Sequence, residues 1–248
     1  MRIALIGFGR MGKAIARLAK NQGMEVTAKI DPIVPEADSR EISKDALARA
    51  DVCIDFSQPD TVLENIKKVA GLKKNIVVGT TGWYDNSEQV KKTVEKEGIG
   101  LIYASNFSLG VNIFFRIVRD AARKIGRFPE YDAFVLEKHH NKKKDSPSGT
   151  AKIISEILLD GLPAKKKIID SKLDRQISAD ELHVTSVRAG SIPGTHVVGF
   201  DSSVDTIELR HTARSRDGFA LGALQAAKWI AGKRGFYSVD DMMREIIE

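Results

Sequence analysis

Residues 2–12 are Arg2-Ile3-Ala4-Leu5-Ile6-Gly7-Phe8-Gly9-Arg10-Met11-Gly12, and they decide the fold of the first part of the chain. A short apolar strand runs into three glycines, and residues 12–22 then carry apolar side chains at helical spacing. The first glycine permits a tight turn, the second lets backbone approach a pyrophosphate, and the third lets the helix pack closely on the strand. The pattern predicts that a dinucleotide binds along Gly7, Phe8, Gly9, Arg10, Met11 and Gly12, at the start of a helix.

The next strand-like run, 26–30, ends at Asp31, 19 residues after the third glycine. An acid at this place accepts hydrogen bonds from ribose hydroxyls, so Asp31 is a candidate cofactor residue. Asp31 is followed by Pro32 rather than by an arginine, which favours NADH over a cofactor that carries a 2′-phosphate. Arg10 and Lys29 leave the use of NADPH open, so the predicted cofactors are NADH and/or NADPH.

Strand-like and helical segments alternate with short links as far as residue 106, which predicts a parallel sheet. A short helix is expected at 44–49. After residue 107 the rhythm changes, and three closely spaced runs at 182–189, 196–201 and 206–212 favour antiparallel pairing.

A last helix at 219–231 follows, and we place it back on the first domain because no further strand is expected. The predicted fold class is α/β, a Rossmann-type doubly wound parallel sheet plus a second α+β domain with a mixed or antiparallel sheet. Residues 1–106 and 217–248 are expected to form the dinucleotide-binding domain. Residues 107–216 are expected to form the substrate-binding and oligomerisation domain.

Composition argues against several classes of protein. The net charge of +6, from 39 basic and 33 acidic residues, is too small and too dispersed to indicate a nucleic-acid partner. The single cysteine, Cys53, rules out a disulfide within the chain and fits a reducing compartment. Met1 runs directly into a strand, and no apolar stretch approaches the roughly 18 residues that cross a membrane. We therefore expect a cytoplasmic protein with no membrane partner.

A second motif reads Glu137-Lys138-His139-His140-Asn141-Lys142-Lys143-Lys144-Asp145-Ser146-Pro147-Ser148-Gly149-Thr150-Ala151. A ligand carboxylate can accept N–H bonds from Gly149 and Thr150 at the helix start, with Lys143 as charge partner and proton source. Histidine titrates near neutral pH and suits acid–base chemistry. These groups together indicate a site for a small dianion.

Two other interpretations of this motif are open. It can be a solvated basic loop capped by Ser148. The paired histidines can also ligate a metal. That is not favoured, because adjacent side chains on a strand point to opposite faces and no Cys or Asp/Glu ligand set accompanies them at useful spacing. No metal is therefore predicted.

The segment 137–151 resembles the signature of the 4-hydroxy-tetrahydrodipicolinate reductase family, also called dihydrodipicolinate reductases. Further motifs resemble that family in the same order along the chain. They lie at 55–57, 79–82, 106–112, 188–196 and 208–220.

The resemblance implies NAD(P)H-dependent reduction of 4-hydroxy-tetrahydrodipicolinate to tetrahydrodipicolinate, on the diaminopimelate route to lysine, by a homotetramer built through the second sheet. Carried over by position, His139 is the acid–base residue and Lys143 the proton donor. His140, Gly149 and Thr150 hold a substrate carboxylate, with Arg216 nearby. The cofactor residues implied are Phe56, Ser57, Gly79, Thr80, Thr81, Ala104, Ser105, Asn106 and Phe107.

Two alternative functions belong to other classes. A Rossmann reductase or dehydrogenase acting on another small (amino) acid would keep the glycine loop but has no need of the set from His139 to Thr150. A non-enzymatic nucleotide-sensing regulator would lack acid–base residues and would carry a DNA-binding element, for which the sequence offers no candidate.

Overall fold

A computed structural model describes residues 1–247, which separate into two units. The first unit contains Met1–Leu109 and the chain from Arg216 onward, and the second contains Gly110–Ser215. None of the helices over these residues combines the length and the apolar character that a membrane crossing needs.

The strands are β1 Arg2–Ile6, β2 Glu25–Ile30, β3 Val52–Asp55, β4 Asn75–Val78, β5 Gly100–Tyr103, β6 Asp132–His139, β7 Lys167–Ile169, β8 Glu181–Arg188, β9 Thr195–Asp201, β10 Thr206–Thr212 and β11 Gly235–Ser238. The α-helices are α1 Arg10–Ala19, α2 Val62–Gly71, α3 Ser87–Glu97, α4 Leu109–Ile125, α5 Gly149–Gly161, α6 Asp217–Ile230 and α7 Val239–Ile247. Two 3-10 turns lie at Lys20–Gln22 and Tyr84–Asn86.

The sheet of the first unit has the order β11-β5-β4-β3-β1-β2, and all its described pairings are parallel. Its strands are short. They are apolar because both faces of the sheet are covered. The order reverses between β1 and β3, so loops after these strands diverge and leave a crevice at their carboxyl ends.

Helix α6 packs on this first sheet, with Ala220, Ala223 and Leu224 in the same core as Ile3 and Val77. Two sequence expectations about the first unit are wrong. Segment 44–49 is a run of turns rather than a helix. The chain also makes a further strand after α6, since β11 pairs with β5 at the sheet edge before α7.

The sheet of the second unit is mixed, with the order β10-β9-β6-β8-β7. Strands β9 and β10 form the expected antiparallel hairpin. Strands β8 and β9 do not pair, contrary to the sequence prediction, because β6 lies between them and pairs parallel with β8 and antiparallel with β9. The predicted fold class, a Rossmann-type parallel sheet plus a second α+β domain with a mixed sheet, is confirmed.

Helices α4 and α5 supply the core of the second unit together with one face of its sheet, where Val135, Val184 and Val198 lie side by side. Side chains alternate along β6, so Glu137 and His139 continue this buried face at the carboxyl end of the strand. The polar end of β6 is thus held on a packed apolar base.

Candidate active site

The glycine turn after β1 is shaped by close backbone contacts. Gly7 has φ +85°, and a Cβ there would lie 2.2 Å from the carbonyl oxygen of Phe56. A Cβ on Gly12 would lie 2.3 Å from the carbonyl oxygen of Gly7, so α1 packs tightly on the turn. At Gly9, the N-cap of α1, no described atom beyond its chain neighbours comes within 4 Å of a Cβ position. The helix N-terminus therefore faces open space that a phosphate group would fit.

Two neighbouring pockets of about 320 and 380 Å³ lie along the carboxyl ends of the first sheet. They share Gly9, Phe56, Ser57 and Gln58 as lining residues. The smaller is also lined by Arg10, Met11, Pro59, Gly79, Thr80 and Thr81. The larger is also lined by Gly7, Asp31, Ile33, Arg40, Thr61 and Lys68, among others. Because they share these residues, the two pockets adjoin and form one groove, which is lined by both polar and apolar side chains.

Asp31 lies at the end of β2 and orders the turn beside it. Its Oδ2 accepts the N–H of Phe8 at 2.8 Å, and its Oδ1 accepts those of Ile33 and Val34, both at 2.9 Å. Partial burial alone would raise the pKa of Asp31, but these backbone donors outweigh it and the pKa is lowered. Asp31 is therefore ionised at neutral pH, and Oδ2 keeps lone-pair capacity for a ribose hydroxyl.

Asp55, at the end of β3, is fully buried and fixes the loops that line the smaller pocket. Its carboxylate accepts the Thr80 hydroxyl at 2.6 Å, the Ser57 hydroxyl at 2.8 Å and the Asn65 amide at 2.9 Å. Burial raises the pKa of Asp55, and these hydrogen bonds oppose the rise. Gly79 is needed beside them, since a Cβ there would lie 2.2 Å from the Phe56 ring.

The predicted cofactor residues at 104–107 are not among the residues that line these two pockets. Ala104 and Phe107 are buried in the core, and Phe107 packs against Gly222 of α6. Ser105 is exposed and Asn106 is half-buried. Neither pocket described above is lined by this segment, so its role toward the cofactor stays a prediction.

His139 ends β6 and forms a close hydrogen bond through Nδ1 with Oε2 of Glu137, two residues earlier on the same face. Oε1 of Glu137 accepts the Ser186 hydroxyl and Arg188 Nη2, each at 2.7 Å. Burial of Glu137 would raise its pKa, but the hydrogen bonds with His139, Arg188 and Ser186 lower it to about 2. The carboxylate is therefore a fixed negative group beneath the imidazole.

The N-terminus of α5 lies beside this pair. Ser148 Oγ caps the helix by accepting the N–H of Ala151 at 3.2 Å, and it also lies 3.2 Å from Nε2 of the buried His196. Gly149 and Thr150 are the first two helical residues. Gly149 is exposed, and no described atom outside its chain neighbours and its own helix comes within 4 Å of a Cβ position there. The positive end of the helix is thus open to an anion.

The loop between β6 and α5 opens with a turn at Asn141 and Lys142, where the N–H of Lys143 donates to the carbonyl of His140 at 3.2 Å. Lys143 is half-buried, whereas Lys142 and Lys144 are exposed. His140 is half-buried, and its Nδ1 is enclosed without a hydrogen-bond partner in the described structure. The turn distinguishes Lys143 from both neighbours.

Glu137, His139 and His196 offer ligand atoms within 4.8 Å of one another, the composition of a metal site. The sequence argument considered only ligands at useful spacing from the paired histidines. Pairing of β6 with β9 brings the distant His196 beside Glu137 and His139, which spacing does not reveal. Arg188 binds the same carboxylate and competes with any cation for it. The prediction that no metal is used stays a prediction.

Two family models match the chain. The one for the N-terminus of dihydrodipicolinate reductase covers residues 1–107, and the one for its C-terminus covers residues 110–243. The chain belongs to the dihydrodipicolinate reductase family. The family resemblance of its sequence motifs is thereby confirmed.

Relatives match over essentially the full length. The 4-hydroxy-tetrahydrodipicolinate reductase of Christiangramia forsetii is 37% identical over 248 residues and covers 100% of both chains. That of Archaeoglobus fulgidus is 39% identical and covers 98% of this chain and 100% of its own. A solved structure of dipicolinate-bound dihydrodipicolinate reductase from Paenisporosarcina sp. TG-14 shares the fold, with a TM-score of 0.78, 23% identity, and coverage of 98% and 99%.

In this member of the family the sequence-predicted residues divide between the units. His139, His140 and Lys143 lie at or just beyond the carboxyl end of β6. Gly149 and Thr150 begin α5, whose N-cap Ser148 donates its N–H to Glu137 of β6 at 3.2 Å. The glycine turn, Asp31, Phe56, Ser57, Gly79, Thr80 and Thr81 lie at the carboxyl ends of the first sheet. Arg216, predicted near substrate, is exposed and is the N-cap of α6 in the first unit.

Four residues of this family member matter to the sites and were not singled out by sequence. Asp55 and Glu137 stand inside the quoted motifs, but each has partners far away in the sequence, Thr80 for Asp55 and the β8 residues Ser186 and Arg188 for Glu137. His196 reaches Glu137 through a cross-strand pairing. Arg40 returns to Asp31 through a loop, where its Nη1 donates to the carbonyls of Asp31 and Val34 at 3.2 and 2.6 Å. Only pairing and loop closure make these residues visible.

Proposed function

We propose that this chain is an NAD(P)H-dependent reductase that converts 4-hydroxy-tetrahydrodipicolinate to tetrahydrodipicolinate in diaminopimelate and lysine biosynthesis. One observation supports the proposal: in a member of this family, the end of β6 carries His139, the following loop carries the half-buried Lys143, and the N-cap of α5 donates its N–H to Glu137 of β6. This set suits a small dicarboxylate that must gain a proton.

The substrate side of the proposal rests on charge. One carboxylate of the ligand would accept N–H groups at Gly149 and Thr150, where the dipole of α5 favours negative charge. Lys143 would balance the second charge, and the half-buried imidazole of His140 would complete the polar contacts. Gly149, Thr150 and His140 would hold the ligand in ground state and transition state alike, whereas Lys143 would also meet charge that builds on the ring during reduction.

The cofactor side rests on the groove along the first sheet. We propose that NADH and NADPH both bind there, with pyrophosphate at Gly9 and ribose at Asp31, and that NADH serves at least as well. The bound nicotinamide would supply a hydride. Arg40 lines the same pocket as Asp31 and gives a positive partner for a 2′-phosphate.

The hydroxy substrate would first lose its 4-hydroxyl group as water. Reduction of the resulting ring then adds one hydride and one proton. Lys143 and the start of α5 are positive features placed to stabilise charge as it builds on the ring. His139 or Lys143 would then donate the proton. A positioned general acid typically raises the reaction rate by about 10²–10⁴-fold.

Assembly as a homotetramer is supported by the second sheet, whose face opposite α4 and α5 carries Phe134, Leu136 and Val187, all half-buried or exposed. A cytoplasmic location stays a prediction. Light scattering after size-exclusion chromatography would measure four copies per particle if the assembly proposal holds.

The deciding experiment generates the substrate in situ from pyruvate and aspartate semialdehyde and follows oxidation of NADH and NADPH separately. Rapid oxidation that depends on the generated substrate is expected, with competitive inhibition by dipicolinate. Oxidation that proceeds equally without substrate, or a faster reaction with small amino or hydroxy acids, would reject the proposed reaction.

A further inference from the structure

We infer that Glu137 is a positioning residue for the reaction: it holds His139 in the single tautomer that leaves Nε2 free to exchange a proton with the ligand. The part of this inference that concerns turnover rests on the function proposed above. The part that concerns the imidazole is a property of the protein alone and can be measured without substrate.

The two oxygens of Glu137 have separate tasks. Oε1 takes three donors, the hydroxyl of Ser186, Nη2 of Arg188 and the N–H of Ser148 at 3.2 Å. Oε2 is left for His139. Because three donors from two elements hold Oε1, the carboxylate cannot rotate away from the imidazole.

The ionised state of Glu137 determines the proton on its neighbour. A carboxylate only accepts hydrogen bonds, so the Nδ1 atom that faces it must carry hydrogen. The side chain is fully buried and its pKa is lowered to about 2, so it stays ionised across the working range of an enzyme. In neutral His139 the lone pair is therefore on Nε2.

The surroundings of Nε2 fit this assignment. A Cβ on Gly194 would lie 3.0 Å from Nε2, so the glycine leaves room beside that atom. The imidazole of His196 also lies edge-on to that of His139, with ring centroids 5.2 Å apart. The imidazole is thus held by a hydrogen bond at Nδ1 and has space beside Nε2. This is the arrangement expected of an oriented proton donor.

The first test is nitrogen NMR of the five histidines in the whole protein, with the His139 signals identified from a His139→Gln spectrum. At alkaline pH we expect Nδ1 of His139 protonated and Nε2 unprotonated. Glu137→Gln should produce a mixture of the two tautomers, since an amide can donate as well as accept. A wild-type His139 with its proton on Nε2 would overturn the inference, even if the variant failed to fold.

The second test compares turnover with a matched variant. Glu181 is the other buried glutamate of this sheet, bonded by Arg175 at 2.8 Å, but it begins β8 rather than flanking His139. Glu137→Gln should lower kcat by at least about tenfold with KM changed less than threefold, because the residue acts through an acid used in the transition state. Glu181→Gln should leave kcat within twofold while losing comparable stability.

The outcomes separate the two proposals. Equal kcat losses in both variants would show that Glu137 acts on stability only, and would overturn the positioning role. If the wild-type protein has no reductase activity, the proposed function fails, and the NMR result still decides whether Glu137 sets the tautomer of His139.

Discussion

Nζ of Lys143 lies 2.8 Å from Oδ1 of Asp145 inside the turn between β6 and α5. The hydrogen bond from Lys143 is the largest of the influences that lower the pKa of Asp145. This pair holds one lysine of the run partly inside the protein while Lys142 and Lys144 remain exposed. The position of the ammonium group, not the number of lysines, therefore distinguishes the proposed proton donor.

Lys143→Ala should lower kcat by about 10²-fold, because the lost cation serves charge that appears in the transition state. Steady-state kinetics with generated substrate measure this. Lys144→Ala is the matched control and should change kcat less than twofold. A larger loss in Lys144→Ala than in Lys143→Ala would mean that the exposed lysine reaches the ligand instead.

Gly194→Ala should lower kcat strongly, since its Cβ would lie 3.0 Å from Nε2 of His139. The backbone there has φ +150°, so a stability loss of about 1 kcal/mol is expected as well. Kinetics and urea unfolding separate the two effects.

Gly190→Ala is the control for Gly194→Ala. Gly190 also has positive φ, +48°, but no described atom beyond its chain neighbours approaches its Cβ position within 4 Å. The Gly190→Ala variant should be less stable than wild type and should keep the kcat of wild type. Equal kcat losses in both variants would assign the effect to backbone strain and not to crowding of the imidazole.

Arg40→Ala should raise KM for NADPH by about fivefold, because a screened cation beside a 2′-phosphate contributes on the order of 1 kcal/mol. KM for NADH should stay within twofold. The matched control is Lys29→Ala, since Lys29 is already paired with Asp38 at 3.1 Å. Parallel changes for both cofactors in Arg40→Ala would show that the arginine supports the loop and not the phosphate.

His196 should make the protein less stable in acid. Burial, and then the nearby His139, lower its pKa from 6.5 to about 4, so the folded protein favours neutral imidazole. The unfolded chain binds the proton first, so this stability is complete above pH 6.5 and is lost as pH falls toward 4. His196→Gln should remove up to about 3 kcal/mol of that pH dependence.

The free energy of unfolding, measured with denaturant at several pH values between roughly 7.5 and 4, tests this effect. These values span the range in which a histidine side chain titrates. His183→Gln on β8 is the control, because His183 is half-buried on the same sheet. If His196→Gln and wild type lose stability in parallel across this window, His196 is not the group responsible.

The sequence by itself determined the features that depend on local geometry. Strand β1, the glycine turn and α1 follow from apolar periodicity and from the need for small residues where backbones approach. The loop from Glu137 to Ala151 was identifiable as an anion site because its charges and its helix start are neighbours in the chain. The family also followed from such contiguous motifs.

The tertiary structure alone decided which residues meet across strands. Parallel pairing of β6 with β8 puts Ser186 opposite Glu137, although proximity in sequence favoured a hairpin of β8 with β9. Strand β11 escaped prediction because a four-residue edge strand has almost no periodicity of its own and exists through its pairing with β5. Periodicity reports the faces of a single element, whereas pairing and burial depend on segments far apart in the chain. For that reason the support of His139 is visible only in the fold.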